Sequence, residues 1–322
     1  MRHQFGKRGK AKKRWGVVLA GGDGVRLRPL TRLISGDERP KQFCALYGDL
    51  TLLEQARRRA ERSIPRRQIL FSLCRAHESF YLPLLSDCAS QRVVQPLNRG
   101  TAPAIMSALL PIARQNADAR AAIFPSDHHY SDEDIVTSAV EEAFALVDRE
   151  PDSLILLGAR PHAAEVEYGW IETGEPLEGA ADSFRVRSFH EKPSEELARL
   201  LWERQSLWNT FVMVGRVFTF LEMICSATPG LLRSFRERPI LRVPDREIRL
   251  EDTLYARIPH VDFSRQVLSL EPSRLIVHRM GPVVWNDLGD CNRAVAALSR
   301  SGLEPEWARH WRSSPVGATA VA

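Results

Sequence analysis

The stretch that decides the fold is L-A-G-G-D-G-V-R-L-R-P-L-T, residues 19–31. It follows a short apolar run, Trp15–Ala20, which is typical of a buried β-strand. The stretch contains three closely spaced glycines: Gly21, Gly22 and Gly24. Glycine lets backbone N–H groups approach an anion and adopt φ values that other residues resist. With the positive charge of Arg26 close behind, the pattern favours a phosphate-binding loop at the end of the first strand.

The loop matches neither of the two most familiar phosphate-binding patterns. It lacks the G-x-x-x-x-G-K-[ST] of a P-loop, and Leu27 stands at the third glycine position of G-x-G-x-x-G. Lys41, in R-P-K-Q-F, adds a second cation one loop later. The alternative is an ordinary glycine turn with surface arginines, which this segment alone does not exclude.

Strand-like and helix-like segments alternate through the first half of the chain. This spacing predicts an α/β fold with a Rossmann-like, mostly parallel sheet and helices on both faces. Ligands of such sheets bind beyond the carboxyl ends of the strands. The loops that follow Ala20, Gln95 and Pro125 all come after predicted strands, so we expect them to share one cleft.

The second half of the chain is less regular. Three segments there are predicted as strands, and a small mixed sheet is expected to hold them: Gly169–Glu172, Phe184–Phe189 and Thr210–Val214. A final helix is predicted over Cys291–Ser299. The predicted organisation is a basic disordered tail at 1–14, a single catalytic domain at 15–300 and a C-terminal tail at 301–322.

Charge and cysteine content narrow the function classes. The chain has 322 residues, with 45 lysines and arginines against 40 aspartates and glutamates. Residues 1–14 hold seven of the basic residues and no acid, so the rest is nearly neutral and no nucleic-acid partner is expected. No apolar run approaches the roughly 18 residues of a membrane span. Five scattered cysteines without a C-x-x-C pair favour reduced thiols and a cytoplasmic location.

Further motifs follow predicted strands. V-Q-P-L-N-R-G-T-A-P-A-I (94–105) permits a close backbone approach before a helix begins. F-P-S-D-H-H (124–129) places Asp127 at a strand end, where a carboxylate suits Mg²⁺ or caps a helix. The adjacent histidines of that motif point to opposite faces of an extended strand, so a zinc site is not favoured. Four more motifs are Y-G-W-I-E-T-G (168–174), F-H-E-K-P (189–193), L-W-N-T-F (207–211) and V-W-N-D-L-G-D (284–290, with Val283 before it).

In this order, the motifs resemble the signature of sugar-nucleotide pyrophosphorylases, the sugar-1-phosphate nucleotidylyltransferases. The resemblance covers residues 15–295 and is greatest to the mannose-1-phosphate guanylyltransferase branch. Val25 stands where the family usually has Thr. Thr210 and Phe211 replace Ser-Gly, and Asp290–Cys291 replaces Ser-Trp.

The resemblance implies roles for individual residues. The implied catalytic residues are Arg26, Lys41, Lys192 and Asp127. The implied nucleotide-binding residues are Leu19, Ala20, Gly21, Gly22, Gly24, Arg26, Gln95, Asn98, Arg99, Gly100 and Thr101. The implied sugar-binding residues are Gly169, Glu191, Lys192 and Asn209. Asp127 and Asp287 would hold Mg²⁺, the implied cofactor.

The implied reaction converts GTP and mannose 1-phosphate to GDP-mannose and pyrophosphate. Uridylyl, thymidylyl or adenylyl transfer to glucose 1-phosphate is the alternative within the family. Three alternatives lie outside this family of reactions: an inactive regulatory protein that binds nucleotide sugars, a nicotinamide-dependent oxidoreductase, and a nucleic-acid binder that uses the basic tail. A homodimer is among the assemblies that the sequence allows.

Overall fold

A parallel sheet begins at the strand that precedes the glycine loop. The computed structural model describes residues 13–86, 89–236, 241–243, 246–300, 302 and 304–313. The first half contains the following elements: β1 (Arg14–Ala20), α1 (Arg28–Ser35), α2 (Leu52–Ser63), β2 (Ile69–Cys74), α3 (Glu78–Leu85), β3 (Gln91–Gln95), α4 (Thr101–Gln115), β4 (Arg120–Pro125), β5 (His129–Tyr130), α5 (Glu133–Arg149) and β6 (Leu154–Ala159). The predicted strand–helix alternation is therefore confirmed here.

The second half mixes longer strands with short helices. Its elements are β7 (Gly169–Pro176), β8 (Ser183–Glu191), α6 (Glu195–Glu203), β9 (Leu207–Arg216), α7 (Val217–Ala227), α8 (Pro229–Arg236), β10 (Leu241–Val243), β11 (Glu247–Arg249), α9 (Asp252–Arg257), α10 (Phe263–Gln266), β12 (Leu275–Arg279), β13 (Trp285–Asn286), α11 (Cys291–Arg300) and α12 (Glu306–Ser313).

One large sheet runs through the described part of the chain. Its eleven strands lie in the order β10-β11-β3-β2-β1-β4-β9-β6-β12-β8-β7. β1 pairs in parallel with β2 and β4, and β2 pairs in parallel with β3. β9 is inserted antiparallel between β4 and β6. Because helices pack on both faces, the predicted Rossmann-like α/β class is confirmed. The sheet is mixed rather than mostly parallel, since five pairings among its described strands are parallel and six are antiparallel.

The strands assigned to a smaller sheet belong to the main sheet instead. β8 pairs with β12, and β7 pairs with both β8 and β9. A small second sheet does exist, but it consists of β5 and β13, which are antiparallel. The main sheet extends this far because β7 begins with four buried residues, Gly169–Glu172, whose Trp170 and Ile171 pair with β9.

The core has two layers, one on each side of the main sheet. Ile105 and Leu109 of α4 are fully buried on one side, and Val140 and Phe144 of α5 on the other. Burial of each such side chain contributes about 1.5–3 kcal/mol to folding. The two layers hold the sheet rigid, so the loops at its carboxyl edge start from fixed positions.

Both ends of the chain differ from the prediction. Arg14, placed in the basic tail, is the first residue of β1; residues 1–12 lie outside the described residues. The predicted final helix is followed by α12, within the segment predicted as a tail. Trp311 of α12 is buried in a cluster with Leu30 of α1, and Trp307 Nε1 donates to the Leu46 carbonyl at 3.1 Å. Tryptophans on one helical face supply enough apolar surface to dock this short helix.

No helix in the described ranges combines the length and the apolar character that a membrane crossing requires.

Candidate active site

Three adjoining cavities lie at the carboxyl edge of the sheet. The largest, of about 330 Å³, is the first cavity; it is lined by Leu19 at the end of β1, Gln95 at the end of β3 and Pro125 at the end of β4. The predicted meeting of these three loops is therefore confirmed. Gly21, Gly22, Asn98, Gly100 and Thr101 complete much of the same wall.

The glycine loop is held tightly against the segment that carries Lys41. Gly24 has a φ of 56°, and a Cβ there would lie 2.9 Å from the backbone nitrogen of Lys41. Gln42 Nε2 donates to the Gly22 carbonyl at 2.7 Å and to the Ala20 carbonyl at 3.3 Å. Gln42 is buried and was not singled out from the sequence, although it directly follows the predicted lysine. It ties down the loop whose Gly21 and Gly22 line the first cavity.

Gly100 forms the opposite wall of the first cavity at the start of α4. Its φ is 87°, and a Cβ would lie 2.4 Å from the Val261 carbonyl oxygen. Asn98 Oδ1 accepts from the Gly100 N–H at 3.0 Å, while Asn98 Nδ2 donates to Asp23 at 3.3 Å. Asn98 therefore links this wall to the glycine loop.

Besides Asn98, three of the predicted nucleotide-binding residues form hydrogen bonds to other groups of the protein through their side chains. Arg99 donates to the carbonyls of Tyr255 and Ala256, and the Thr101 hydroxyl accepts from the Phe263 N–H at 2.7 Å. Arg99 does not line the first cavity, unlike Thr101 and Gln95. Gln95 is itself oriented by the hydroxyl groups of two neighbours, since it donates to Ser72 and accepts from Tyr255.

The second cavity, of about 300 Å³, collects the cations predicted to bind phosphates. Its lining includes Val25, Arg26 and Lys41 together with Asp127. Lys41 Nζ lies 3.1 Å from Asp127 Oδ2 and also donates to the carbonyls of Asp287 and Leu288. Lys41 therefore connects the two segments that carry the predicted metal ligands.

Asp127 stands where the first and second cavities meet. Burial acts to raise the pKa of this carboxyl, but the Lys41 ammonium outweighs burial and holds it below its ordinary value. The pKa of His128 is lowered, chiefly by burial. Asp127 is therefore an anion at neutral pH, beside a neutral imidazole.

The third cavity, of about 140 Å³, contains the predicted sugar-binding residues Gly169, Glu191, Lys192 and Asn209. Gly169 is needed here because a Cβ would lie 2.8 Å from Glu191 Oε2. Burial, and then the nearby carboxylate of Asp262, raise the pKa of Glu191 to about 7. Glu191 can therefore offer either a donor or an acceptor to a sugar hydroxyl near neutral pH.

Asp287 also lines the third cavity. Its Oδ1 accepts from the Gly289 N–H at 2.9 Å and lies 3.2 Å from Arg293 Nη1. No cluster of three or more acidic, histidine or cysteine ligands occurs in the part of the chain that the structure describes. Two carboxylates still suit Mg²⁺, which takes one or two of them and completes its shell with water and phosphate oxygens.

The paired histidines face opposite ways, as the strand geometry predicts. The His128 ring packs edge-on against Trp285, and its Nδ1 lies 3.1 Å from the Thr210 carbonyl oxygen and 3.3 Å from the Trp285 indole nitrogen. The His129 ring instead lies 4.4 Å from the ring of Tyr47. His128 lines the first and third cavities, so it is a site residue that the sequence analysis left without a role.

Phe211 is the most unusual residue of the cleft. It lines both the first and the third cavity, and its φ of 62° lies in the left-handed region, which favours glycine. Its N–H donates to Asn209 Oδ1 at 3.1 Å. Thr210, the other departure in this segment, is buried and donates to the Leu157 carbonyl, away from the cavities. Phe211 thus adopts a backbone conformation that glycine prefers, at the position where the resembled motif has glycine.

Two charged residues of the site carried no sequence signal that we recognised. Arg293 of α11 contacts Glu165 at 2.9 Å and Asp287 at 3.2 Å, which fixes the Asp287 carboxylate. Glu167 contacts both Arg26, at 3.1 Å, and Lys192, at 3.4 Å. Glu167 directly precedes the Y-G-W-I-E-T-G motif, so its position next to that motif was the available signal.

The fold and the cleft define an α/β protein whose candidate site lies at the carboxyl edge of the parallel strands β1 to β4 in a large mixed sheet. The chain belongs to the nucleotidyl transferase family, whose model matches residues 15–297.

Relatives with known names support this placement. The chain is 29% identical over 287 residues to the mannose-1-phosphate guanylyltransferase of Escherichia coli (strain K12), covering 86% of this chain and 58% of that protein. It is 27% identical over 290 residues to the xanthan biosynthesis protein XanB of Xanthomonas campestris, covering 89% and 60%. The chain thus spans somewhat over half the length of these relatives.

Solved structures agree with the fold. The crystal structure of mannose-1-phosphate geranyltransferase from Thermus thermophilus matches with a TM-score of 0.76 and 27% identity, over 91% of this chain and 80% of that one. UDP-glucose pyrophosphorylase complexed with UDP-glucose matches with a TM-score of 0.56 and 16% identity, over 89% and 97%. The second likeness concerns the fold alone.

Proposed function

We propose that this chain transfers a nucleotidyl group from a nucleoside triphosphate to a sugar 1-phosphate, with release of pyrophosphate. The observation that carries the proposal is that the three cavities adjoin one another and share lining residues. Asp127 is shared by the first and second, while His128 and Phe211 are shared by the first and third. A base and ribose, a polyphosphate and a sugar phosphate can therefore occupy adjoining spaces.

In this proposal the first cavity takes the nucleoside and the second the β- and γ-phosphates. The loop amides near Gly21 and Gly22 face the α-phosphate, and Arg26 with Lys41 neutralises the leaving pyrophosphate. Lys192 holds the phosphate of the sugar substrate. Glu191 and Asn209 bind sugar hydroxyls.

The chemistry requires no general base, because the attacking phosphate oxygen is already an anion. That oxygen forms a bond to the α-phosphorus while the bond to the pyrophosphate oxygen breaks. The main barrier is the approach of two polyanions, and fixed cations lower it. Holding both substrates in line supplies the remainder.

Asp127 and Asp287 are the residues that would hold Mg²⁺, as their oxygen-only chemistry fits. When bound, the metal would neutralise charge on the phosphates. Lys41, which contacts the Asp127 carboxylate and the Asp287 carbonyl, keeps the two segments together.

For the substrates we favour GTP and mannose 1-phosphate. The R-G-T-A-P-A segment at the first cavity and the names of the relatives support this choice. Uridylyl, thymidylyl or adenylyl transfer to glucose 1-phosphate is the alternative. We also place the protein in the cytoplasm, since its five cysteines are scattered without a C-x-x-C pair, a pattern that favours a reducing compartment.

A second candidate is a nucleotide-sugar-binding regulatory protein without catalysis. Phe211 favours it, since its ring stands at the boundary of the nucleotide and sugar cavities where the related motif has glycine. The acidic and basic residues at Asp127, Asp287, Lys41 and Lys192 favour the enzyme, because a protein that only binds needs no such charge arrangement between its two ligands.

Pyrophosphate release with Mg²⁺ tests the proposal across GTP, UTP, dTTP, ATP and CTP, each with mannose 1-phosphate or glucose 1-phosphate. Release with GTP and mannose 1-phosphate alone is the expected result. Release with another pair would keep the reaction and reject the substrate choice. Nucleotide binding without release for any pair would reject the enzyme in favour of the regulatory protein.

A further inference from the structure

One carboxylate pairs with the two cations that the proposed function assigns to different substrates. Glu167 Oε2 lies 3.1 Å from Arg26 Nη1 and 3.4 Å from Lys192 Nζ. Arg26 lines the second cavity, whereas Lys192 and Glu167 line the third. Within the described ranges, neither cation is paired with any other acidic side chain. The Glu167 carboxylate is therefore the anion that these two cations contact between the second and third cavities.

The backbone at Glu167 is anchored, but its carboxylate is accessible. The Glu167 N–H donates to Glu165 Oε1 at 3.2 Å, and Trp170 Nε1 donates to the Glu165 carbonyl at 2.7 Å. The Glu167 side chain is 40% exposed, and those of its two partners are 55% and 42% exposed. The carboxylate can therefore rotate into solvent without any change in the main chain.

We propose that Glu167 is an internal competitor for phosphate groups, which holds Arg26 and Lys192 in the empty site and yields them to the phosphates of the substrates. The proposal rests on the proposed function, since it takes these cations as the phosphate ligands. After transfer, the carboxylate returns to Arg26 and favours the release of pyrophosphate. Glu167 thereby sets how tightly the cleft retains its anionic product.

The expected effect on pyrophosphate affinity is modest because the ion pairs of Glu167 are exposed to solvent. Exposed ion pairs are individually weak, so phosphates displace the carboxylate readily. A carboxylate that stays near bound pyrophosphate also repels it, and solvent and salt screen that repulsion. Removing the charge of Glu167 should therefore tighten pyrophosphate binding severalfold, on the order of fivefold.

The test is calorimetric titration of inorganic pyrophosphate, with and without Mg²⁺, into the full chain and two variants. Glu167→Gln keeps the shape and removes the charge. Glu38→Gln is the matched control, because Glu38 also pairs with two exposed arginines, Arg28 and Arg32, and lines none of the three cavities. We expect tighter binding in Glu167→Gln alone, together with stronger product inhibition by pyrophosphate.

The outcomes separate the role of Glu167 from the existence of the phosphate site. Equal or weaker binding in folded Glu167→Gln, beside a normal control, would overturn the competitor role and indicate that Glu167 merely positions the two cations. A third variant, Glu167→Asp, retains the charge with a shorter reach and should lie between the other two proteins. If all the folded proteins failed to bind pyrophosphate, the phosphate site itself would be rejected, and the proposed function with it.

Discussion

The cleft has a nucleotide half, formed by the first and second cavities, and a sugar half, formed by the third cavity. Left-handed backbone conformations occur in both halves, but at different types of residue. In the nucleotide half, positive φ occurs at Gly24 and Gly100. In the sugar half it occurs at Lys192 and Phe211, with φ of 50° and 62°. Left-handed backbone is almost free for glycine but disfavours a residue with a Cβ by about 1–2 kcal/mol. The nucleotide half is therefore relaxed, and the sugar half holds strain.

The difference shows what each half presents to its ligand. A loop that offers backbone amides to phosphates gains from having no side chain. In the proposed function a sugar is recognised by side chains such as Glu191 and Asn209, which accounts for the side chains at strained positions in this half. Strain of this kind persists where the surrounding structure holds it in place, and it is concentrated at functional sites.

The largest expected effect concerns Asp127, where the two halves meet. Asp127→Asn removes the anion that faces Lys41 and should lower kcat/KM by about a hundredfold to a thousandfold. Steady-state pyrophosphate release measures this loss, and circular dichroism verifies the fold. Asp182→Asn, an exposed aspartate paired with Arg279, is the control and should keep its turnover. Near-normal turnover of folded Asp127→Asn would remove this residue from the mechanism.

The next effect tests the relaxed half through folding stability. Gly100→Ala introduces a Cβ that meets the Val261 carbonyl at 2.4 Å, at a φ of 87°. We expect a loss of about 3 kcal/mol in the free energy of unfolding, measured in urea. Gly36→Ala isolates the backbone contribution, since Gly36 has a φ of 78° with no atom within 4 Å of its Cβ. It should lose only about 1 kcal/mol, and equal losses would contradict the contact argument.

A pH dependence should distinguish the sugar half. The pKa of Glu191 rises from 4.5 to about 7 because the group is buried. Between these values the folded state keeps a proton that the unfolded state releases, so this group lowers stability as pH rises, with the full penalty above pH 7. Glu191→Gln should therefore be more stable than the parent at pH 8, by about 3 kcal/mol, and equally stable near pH 4.

Urea unfolding at several pH values measures this difference. Glu203→Gln, at the exposed end of α6, serves as the control and should show no such trend. A difference between Glu191→Gln and the parent that does not change with pH would show that the pKa of Glu191 is the same in the folded and unfolded states.

A smaller effect separates binding from folding in the nucleotide half. The Cβ of Gly22→Ala would have no atom within 4 Å, so the substitution should leave the melting temperature nearly unchanged. If phosphate oxygens approach this loop, the added methyl group should weaken pyrophosphate binding by about tenfold, or about 1.4 kcal/mol. Calorimetric titration provides the readout. Unaltered affinity would move the phosphates away from Gly22.

The smallest effect tests the strain at Phe211 directly. Phe211→Gly and Phe211→Ala both remove the ring, so they differ only in the Cβ at a φ of 62°. The glycine variant should be the more stable of the two by about 1 kcal/mol, the reverse of the usual order within strands. Thermal unfolding of the pair measures it. A more stable alanine variant would mean that this segment is not strained.

Much of the fold was predictable because its signals are local. Apolar runs bounded by turn residues located β1 to β4, and the position of each polar loop after a strand placed the cleft. The sheet order of β7 to β9 was not predictable in this way. Their pairing depends on contacts such as Trp170 with Trp208, which join segments that carry no mutual signal in the sequence.

The site residues were likewise predictable only where the signal in the sequence is local. Glycines and the lysine in R-P-K-Q-F were found because their residue types are unusual in those patterns. Glu167 and Arg293 were missed because a single charged residue on a surface loop or helix looks like any other. Arg99 was assigned to the nucleotide, yet it binds the carbonyls of Tyr255 and Ala256. A sequence pattern identifies a segment but not the direction of each side chain within it.

The packing of α12 against α1 has a consequence for the order of folding. Leu27 and Leu30, next to the glycine loop, share one buried cluster with Leu288 of the Asp287 segment and with Trp311. These contacts join an early part of the chain to a late one, and long loop closures form slowly. On the ribosome, the glycine loop therefore emerges long before these packing partners, and the buried cluster beside it can be completed only after α12 has been synthesised.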